Sequence, residues 1–465
     1  MKRTIVLIAF ISLLFTSCEK LDQNYNKIPA DAPRLAELQQ EYKEMLVANA
    51  DGWFMEYQPG SNNPSVPILM KFSADGKVSI ISDRYGFDAE SISTYRVGGV
   101  IGPELIFDTY SVYSSIAESG GGAFDFRMYP QENGEFVLKH ATGGLEMEFV
   151  LRKARATDHD DIIARASVGR VLQEFSENSS AYFRNLVLDN ISAFWELDIN
   201  TQQVTLTWEN SGGGTTATQT FSYTTLPGNG IRLAEPWTAP GGIEVEEIFF
   251  GDATPDGIEI TSAGNAGTGE IQVAHIPAFP YPGTAKRYIL SNSFNPNQDP
   301  VRFFASVSGT RETSVDRISP ALWPYYEKLW ADDVWPTYIR LQVYNYNGAA
   351  FTNSIQLLGA INGTNTWLPY YYALDEMDGS HVMVRKRNEV PTDHPHYGAT
   401  YTSGTALTMY NDHPEFADFM DRIYPPGIGV TIVPLSGQNV RVVSRANSLY
   451  WMDLTISTPA NFWNN

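Results

Sequence analysis

Two stretches bring metal-type ligands close together. Asp393-His394-Pro395-His396 offers two imidazoles and a carboxylate, the donor types of a zinc site. The proline between the imidazoles is explained more simply by an exposed loop, and the other five histidines, His140, His159, His275, His381 and His413, are scattered. Asp375, Glu376 and Asp378 before Gly379 have the composition of a calcium loop. No Glu closes it at the twelfth position, as an EF-hand requires. A tight hairpin between Tyr370-Tyr371-Tyr372 and His381-Val382-Met383 accounts for these acids, so neither metal nor cofactor is expected. A glycosidase needs two carboxylates about 5 to 9 Å apart, and 53 acidic residues nominate no particular pair. Neither HExxH nor GxSxG occurs, and the glycine run Ser211 to Thr216 is not closed by Lys as a phosphate loop would be. No catalytic residue is therefore predicted.

The aromatics carry more signal. Trp323, Trp330, Trp335, Trp367, Tyr370, Tyr371, Tyr372 and Trp451 crowd the last third. Neighbours on a strand point to opposite faces, so a half-buried strand through Tyr370-Tyr371-Tyr372 exposes at least one ring. A flat exposed ring with polar neighbours suits stacking on a sugar or a peptide. Trp367, Tyr370, Tyr371 and Tyr372 are the predicted ligand-contact set, against the plainer expectation that large aromatics serve the core.

One thiol remains. Cys18 is the only cysteine of the 465 residues, so no intramolecular disulfide forms. Lys2 and Arg3 precede an apolar run, Thr4 to Phe15, and Thr16-Ser17 lead into Cys18. The run is shorter than the roughly 20 residues of a spanning helix but fits the core of a secretory signal. It resembles a bacterial lipoprotein signal, cut before a cysteine that carries diacylglycerol, with Phe15 where Leu is usual. Residues 1–17 are then a signal peptide and 18–32, polar and without apolar periodicity, a lipidated tether.

The elements that must position these groups are mostly strands. Aromatics make up 13% and Gly and Pro are frequent, a balance that favours strands and turns. Leu35, Leu38, Tyr42 and Met45 predict one amphipathic helix, and Asp158 to Asp161 open a second. Ile68 to Phe72 and Val78 to Ile81 flank the hairpin signal Asp75-Gly76. The expected class is mainly β (α+β), with antiparallel sheets in sandwich or barrel-like lobes and a few short helices. A passage from Pro277 to Pro300 reads as a linker or exposed connection, so an N-terminal β-rich domain (33–300) and a C-terminal one (301–465) are expected. Gly437 to Leu454 echoes Asn133 to Leu151, and Leu407 to Asp412 echoes Leu105 to Tyr110, a pattern of diverged internal duplication. The formal charge of −21 repels nucleic acid and anionic lipid, so membrane attachment falls to the lipid.

DGWFMEYQPG, ILMKFSADGKVSI, LIFDTYS, FDF and EFVLKHATGG, together with the Cys18 signal, resemble the domain of unknown function 4302 family, lipoproteins of Bacteroides and relatives. The likeness is best over about Pro33 to Arg152. It implies an outer-membrane or cell-surface lipoprotein beside a starch-utilisation-type transporter. The expected role is a non-enzymatic, ligand-binding accessory of glycan or peptide uptake, with a polymer hydrolase or an adhesive surface protein as the alternatives.

Overall fold

The computed structural model describes residues 32–60, 63–119, 121–142, 147–189, 191–210, 212–290, 302–305, 317–331, 339–344, 354–361, 364–386, 414–435 and 439–457. Cys18, most of the tether, Asp393 to His396 and Leu407 to Asp412 lie outside them. So does the stretch 291–301, where the expected domain boundary falls.

Three closed eight-stranded barrels follow one another, each an antiparallel meander in which neighbours in sequence are neighbours in space. The first barrel comprises β1 (Trp53–Tyr57), β2 (Val66–Phe72), β3 (Lys77–Ser82), β4 (Ser91–Gly98), β5 (Glu104–Phe107), β6 (Asp125–Pro130), β7 (Phe136–His140) and β8 (Glu148–Lys153). It closes where Trp53 pairs with Lys153. The second has β9 (Phe183–Leu188), β10 (Ile191–Asp198), β11 (Gln203–Glu209), β12 (Thr216–Leu226), β13 (Gly230–Ala239), β14 (Ile243–Thr254), β15 (Gly257–Ser262) and β16 (Gly269–Ala274). The third has β17 (Arg302–Ala305), β18 (Ile339–Tyr344), β19 (Ser354–Ile361), β20 (Thr364–Glu376), β21 (His381–Lys386), β22 (Val430–Pro434), β23 (Val440–Ser444) and β24 (Trp451–Ser457). Among the described residues, closure leaves these sheets no free edge to template aggregation.

In the first barrel, alternate positions such as Trp53, Met55 and Tyr57 of β1 and Ile68 and Met70 of β2 fill the interior. Helices plug both ends. Helix α1 (Ala32–Ala48) feeds β1, so it lies at the end that carries the β2–β3, β4–β5 and β6–β7 turns. Its Tyr42 meets Phe136 edge-on at 5.3 Å, and Trp53 Nε1 donates to the Leu46 carbonyl at 2.8 Å. Only glycine fits the corner between α1 and β1. Gly52 has φ +90°, and a Cβ there would lie 2.6 Å from the Met70 carbonyl oxygen. Helix α2 (Val112–Glu118), between the fifth and sixth strands, closes the opposite end. Its Tyr113 stacks on Phe107 at 4.4 Å. On the outer face of β1 to β3, Phe54, Leu69 and Ile81 are apolar where helix α3 (Asp158–Asn178) covers them, and they pack with its Ile162.

The third barrel also carries a helix between its fifth and sixth strands, α6 (Pro414–Ile423). Helices α4 (Thr284–Leu290) and α5 (Trp323–Ala331) join it on a core that includes Tyr288, Tyr326, Phe419 and Tyr424. In the second barrel a tight turn after Ala239 takes that place, with Gly242 N–H donating to Ala239 at 3.0 Å. This explains why the sequence echo links the first and last thirds. Both echoing hairpins are strands seven and eight of their barrels, β7–β8 and β23–β24, and the repeat unit occurs three times. The passage from Pro277 differs from the expected exposed connection. Phe279, Tyr281, Ala285 and Tyr288 are all buried there, because α4 packs on the third barrel.

The chain forms two compact units. One runs to Arg170 and includes Ile199–Gln202 and Thr224–Asn229; the other takes the remainder. Within the second unit, Tyr182, Phe183, Phe194, Phe279 and Tyr281 pack with Val433 and Val443.

Candidate functional site

The outer wall of the first barrel holds a cleft of 320 Å³, near the lower end for small-molecule sites. Outward positions of β2 and β3 supply Leu69, Lys71, Ser79 and Ile81, the β3–β4 loop supplies Asp88 and Glu90, and α3 supplies His159 and Ile163. The floor is apolar and the rim is charged. Leu69 and Ile81 are buried, whereas Lys71, Glu90 and His159 are exposed. Both walls are fixed. Arg170 pairs with Asp88 at 2.6 Å, and the Ser79 hydroxyl donates to Glu90. At the start of α3, Arg152 clasps Asp158 through two bonds of 2.6 and 2.7 Å while lying 4.0 Å over the Phe54 ring. Burial works to raise the Asp158 pKa, but the bonds from Arg152 and from the Arg155 N–H outweigh it and hold the carboxyl below its ordinary value.

One residue past the end of β3 and two past Ile81 lies Asp83, which is 3% exposed. The Thr225 hydroxyl donates to Asp83 Oδ2, and Oδ1 has no hydrogen-bond partner. Burial pushes the carboxyl up to about 7, against the opposing pull of Thr225 and of the Arg165 charge. Arg165 faces Glu56 at 3.5 Å. The neighbouring Arg84 donates to Ser115 Oγ at 3.0 Å and to the Asn200 carbonyl at 2.5 Å. Asp83 can thus hold or release a proton near neutrality, but its burial keeps it from touching a ligand in the cleft.

The second unit has a larger and more open cleft of 590 Å³ at the β14–β15 hairpin, beside β9 and β16. Asp189, Asp252, Asp256, Glu259 and Glu270 line it without any Lys or Arg. Its field attracts cations. Among the described residues, no group of three or more His, Cys, Asp or Glu is arranged to hold a metal ion.

Trp367, Tyr370, Tyr371 and Tyr372 all fall on β20. Trp367 is paired with Leu358, Tyr370 with Ile355, Tyr371 with Ser354 and Tyr372 with Lys386. Two other aromatics of that crowd have structural partners: Trp323 packs on Tyr326 at 5.4 Å, and Trp451 lies 3.7 Å under the Arg441 guanidinium. Asp375 and Asp378 serve the β20–β21 hairpin. Arg385 donates to Asp375 at 2.7 Å, and Asp378 Oδ1 accepts from the Ser380 and His381 N–H groups at 2.8 and 2.7 Å. Sequence reasoning missed Lys71, Glu90, His159 and Asp83. A signal existed for one of them: alternation along Val66–Phe72 puts Lys71 on the outer face, beside Leu69.

Residues 22–250 match the model of a family described as a domain of unknown function, DUF4302. The span covers the first barrel and the second as far as β14, and the third barrel lies beyond it. No curated protein matches the chain. Among solved structures, it is similar to the crystal structure of a DNA polymerase III subunit beta DnaN sliding clamp from Bartonella birtlesii. The two are 9% identical over 90% of this chain and 97% of that one, and the TM-score of 0.16 carries neither fold nor function across.

Proposed function

The chain belongs to the domain of unknown function 4302 family, and on that premise we propose that it is a lipid-anchored, non-enzymatic ligand-binding protein of the outer membrane or cell surface. Cys18 carries the anchor, and the protein serves glycan or peptide uptake beside a starch-utilisation-type transporter. The binding reading is carried by the cleft over Leu69 and Ile81, which joins an apolar floor to charged groups of both signs, Lys71 against Asp88 and Glu90. That mixture suits an amphipathic ligand. The barrel interiors support it indirectly: the first is filled by its own side chains, which directs a ligand to outer surfaces.

The test is a screen of oligosaccharides and peptides against the parent chain and two variant sets. The first set is Lys71→Ala, Glu90→Ala and His159→Ala; the second is Trp367→Ala, Tyr370→Ala, Tyr371→Ala and Tyr372→Ala on β20. Losing a central contact weakens binding about thirtyfold. Loss in the first set supports the cleft, and loss in the second moves the ligand to β20. Normal binding by every folded variant refutes both placements. A parent chain that binds neither class refutes the binding reading.

A further inference from the structure

We propose that the β4–β5 tip of the first barrel, bearing Val100 and Ile101, sits in the lipid surface to which Cys18 tethers the chain; this rests on the lipoprotein reading above. Val100 is 91% and Ile101 82% exposed, the highest values among the exposed large apolar side chains described. The tip reads Gly98-Gly99-Val100-Ile101-Gly102-Pro103 and contains no charge. It is held in shape. Gly99 has φ +101°, and a Cβ there would lie 2.2 Å from the Gly102 carbonyl oxygen. Gln39 Nε2 of α1 donates to the Gly99 carbonyl at 2.9 Å. Met128 N–H donates to the Pro103 carbonyl at 3.0 Å, which brings Tyr129, 42% exposed, to the same rim.

Where the chain leaves the barrel identifies the occupant. Helix α1 lies on the end that bears this tip, and Gln39 is only about 10 Å along the helix from Ala32. Cys18 lies fourteen residues before Ala32, a reach of at most about 50 Å. The tether is thus rooted at the end that carries Val100 and Ile101. A rigid apolar tip there enters the interfacial zone, about 5–10 Å deep, as amphipathic anchors do. The acidic chain disfavours an anionic surface, so the fitting surface is zwitterionic.

Ile101→Cys supplies a thiol for an environment-sensitive dye, because the sole natural cysteine, Cys18, is occupied by lipid in the acylated chain. Tyr110→Cys places the same dye at the opposite end, beside α2. Acylated full-length chains are bound to vesicles of phosphatidylcholine and phosphatidylethanolamine, with or without brominated acyl chains. The expected result is at least twofold bromine quenching at 101 and none at 110, with both variants melting like the parent. If Ile101→Cys melts lower, Val100→Cys takes its place. Equal quenching at both sites on chains that float with the vesicles overturns the proposal. Dye shielding at 101 without vesicles, rising with protein concentration, assigns the tip to a second copy and also overturns it. A chain whose mass shows no acyl groups and which does not float refutes the lipoprotein reading, and the proposal with it.

Discussion

Asp83 in the first unit and Asp453 in the second are both shielded carboxylates, handled in opposite ways. Asp453 on β24 stands directly across from Arg441 on β23, and the two share bonds of 2.7 and 2.9 Å. Arg441 also donates to the Tyr182 hydroxyl at 3.2 Å. Burial works to lower the Arg441 pKa, but the Asp453 bonds and the Tyr182 contact outweigh it and keep the guanidinium charged. Asp83 has the Thr225 hydroxyl on one oxygen and no partner on the other, and burial outweighs both that bond and the Arg165 charge. A hairpin register delivers a cation to a carboxylate at no cost in chain order. A carboxylate whose neighbours come from 82 and 142 positions away (Arg165 and Thr225) depends on packing alone.

Three predictions sharpen this contrast. The largest concerns pH. Asp83 has a folded pKa of about 7, above the unfolded value near 3.9. Between those values the folded chain keeps a proton that the unfolded chain has released. This contribution to stability is therefore full below about pH 4, falls as pH rises to about 7, and is flat beyond, a span on the order of 4 kcal/mol. Asp83→Asn should abolish that slope and be the more stable chain at pH 8. Urea unfolding of both chains at pH 4.5, 6 and 8 checks it, and parallel pH profiles would refute it.

Arg441→Ala should cost about 3 kcal/mol at neutral pH, because it strands Asp453 and uncovers Trp451. Arg441→Ala combined with Asp453→Asn should recover part of that loss. Urea midpoints of the single and double variants measure both, and a purely additive double variant would sever the pair energetically.

Thr225→Val is the smallest change. It removes the donor to Asp83 and should destabilise by about 1 kcal/mol above pH 7 and by less at pH 5, where the acid is protonated. Equal losses at both pH values would show that the carboxylate does not ionise in the folded chain.

Much of the architecture was written locally. Ile68 to Phe72 and Val78 to Ile81 across the Asp75-Gly76 turn, the helix from Asp158 and the hairpin that joins Arg441 to Asp453 follow from alternation, turn residues and capping acids, which act over a few positions. At β4 the alternation is faint, because only Ser93 and Tyr95 of its eight residues are buried.

Tertiary structure alone decided the rest. Closure pairs Trp53 with Lys153, a hundred positions on, and no local pattern encodes which strands meet last. The outward apolar row Leu69 and Ile81 becomes a cleft only because α3 lies across it, and Asp83 is buried where Thr225 of β12 meets it. Alternation fixes which face a side chain takes, whereas a distant element fixes whether that face meets water. The pKa of a carboxylate and the existence of a cleft both depend on that second condition.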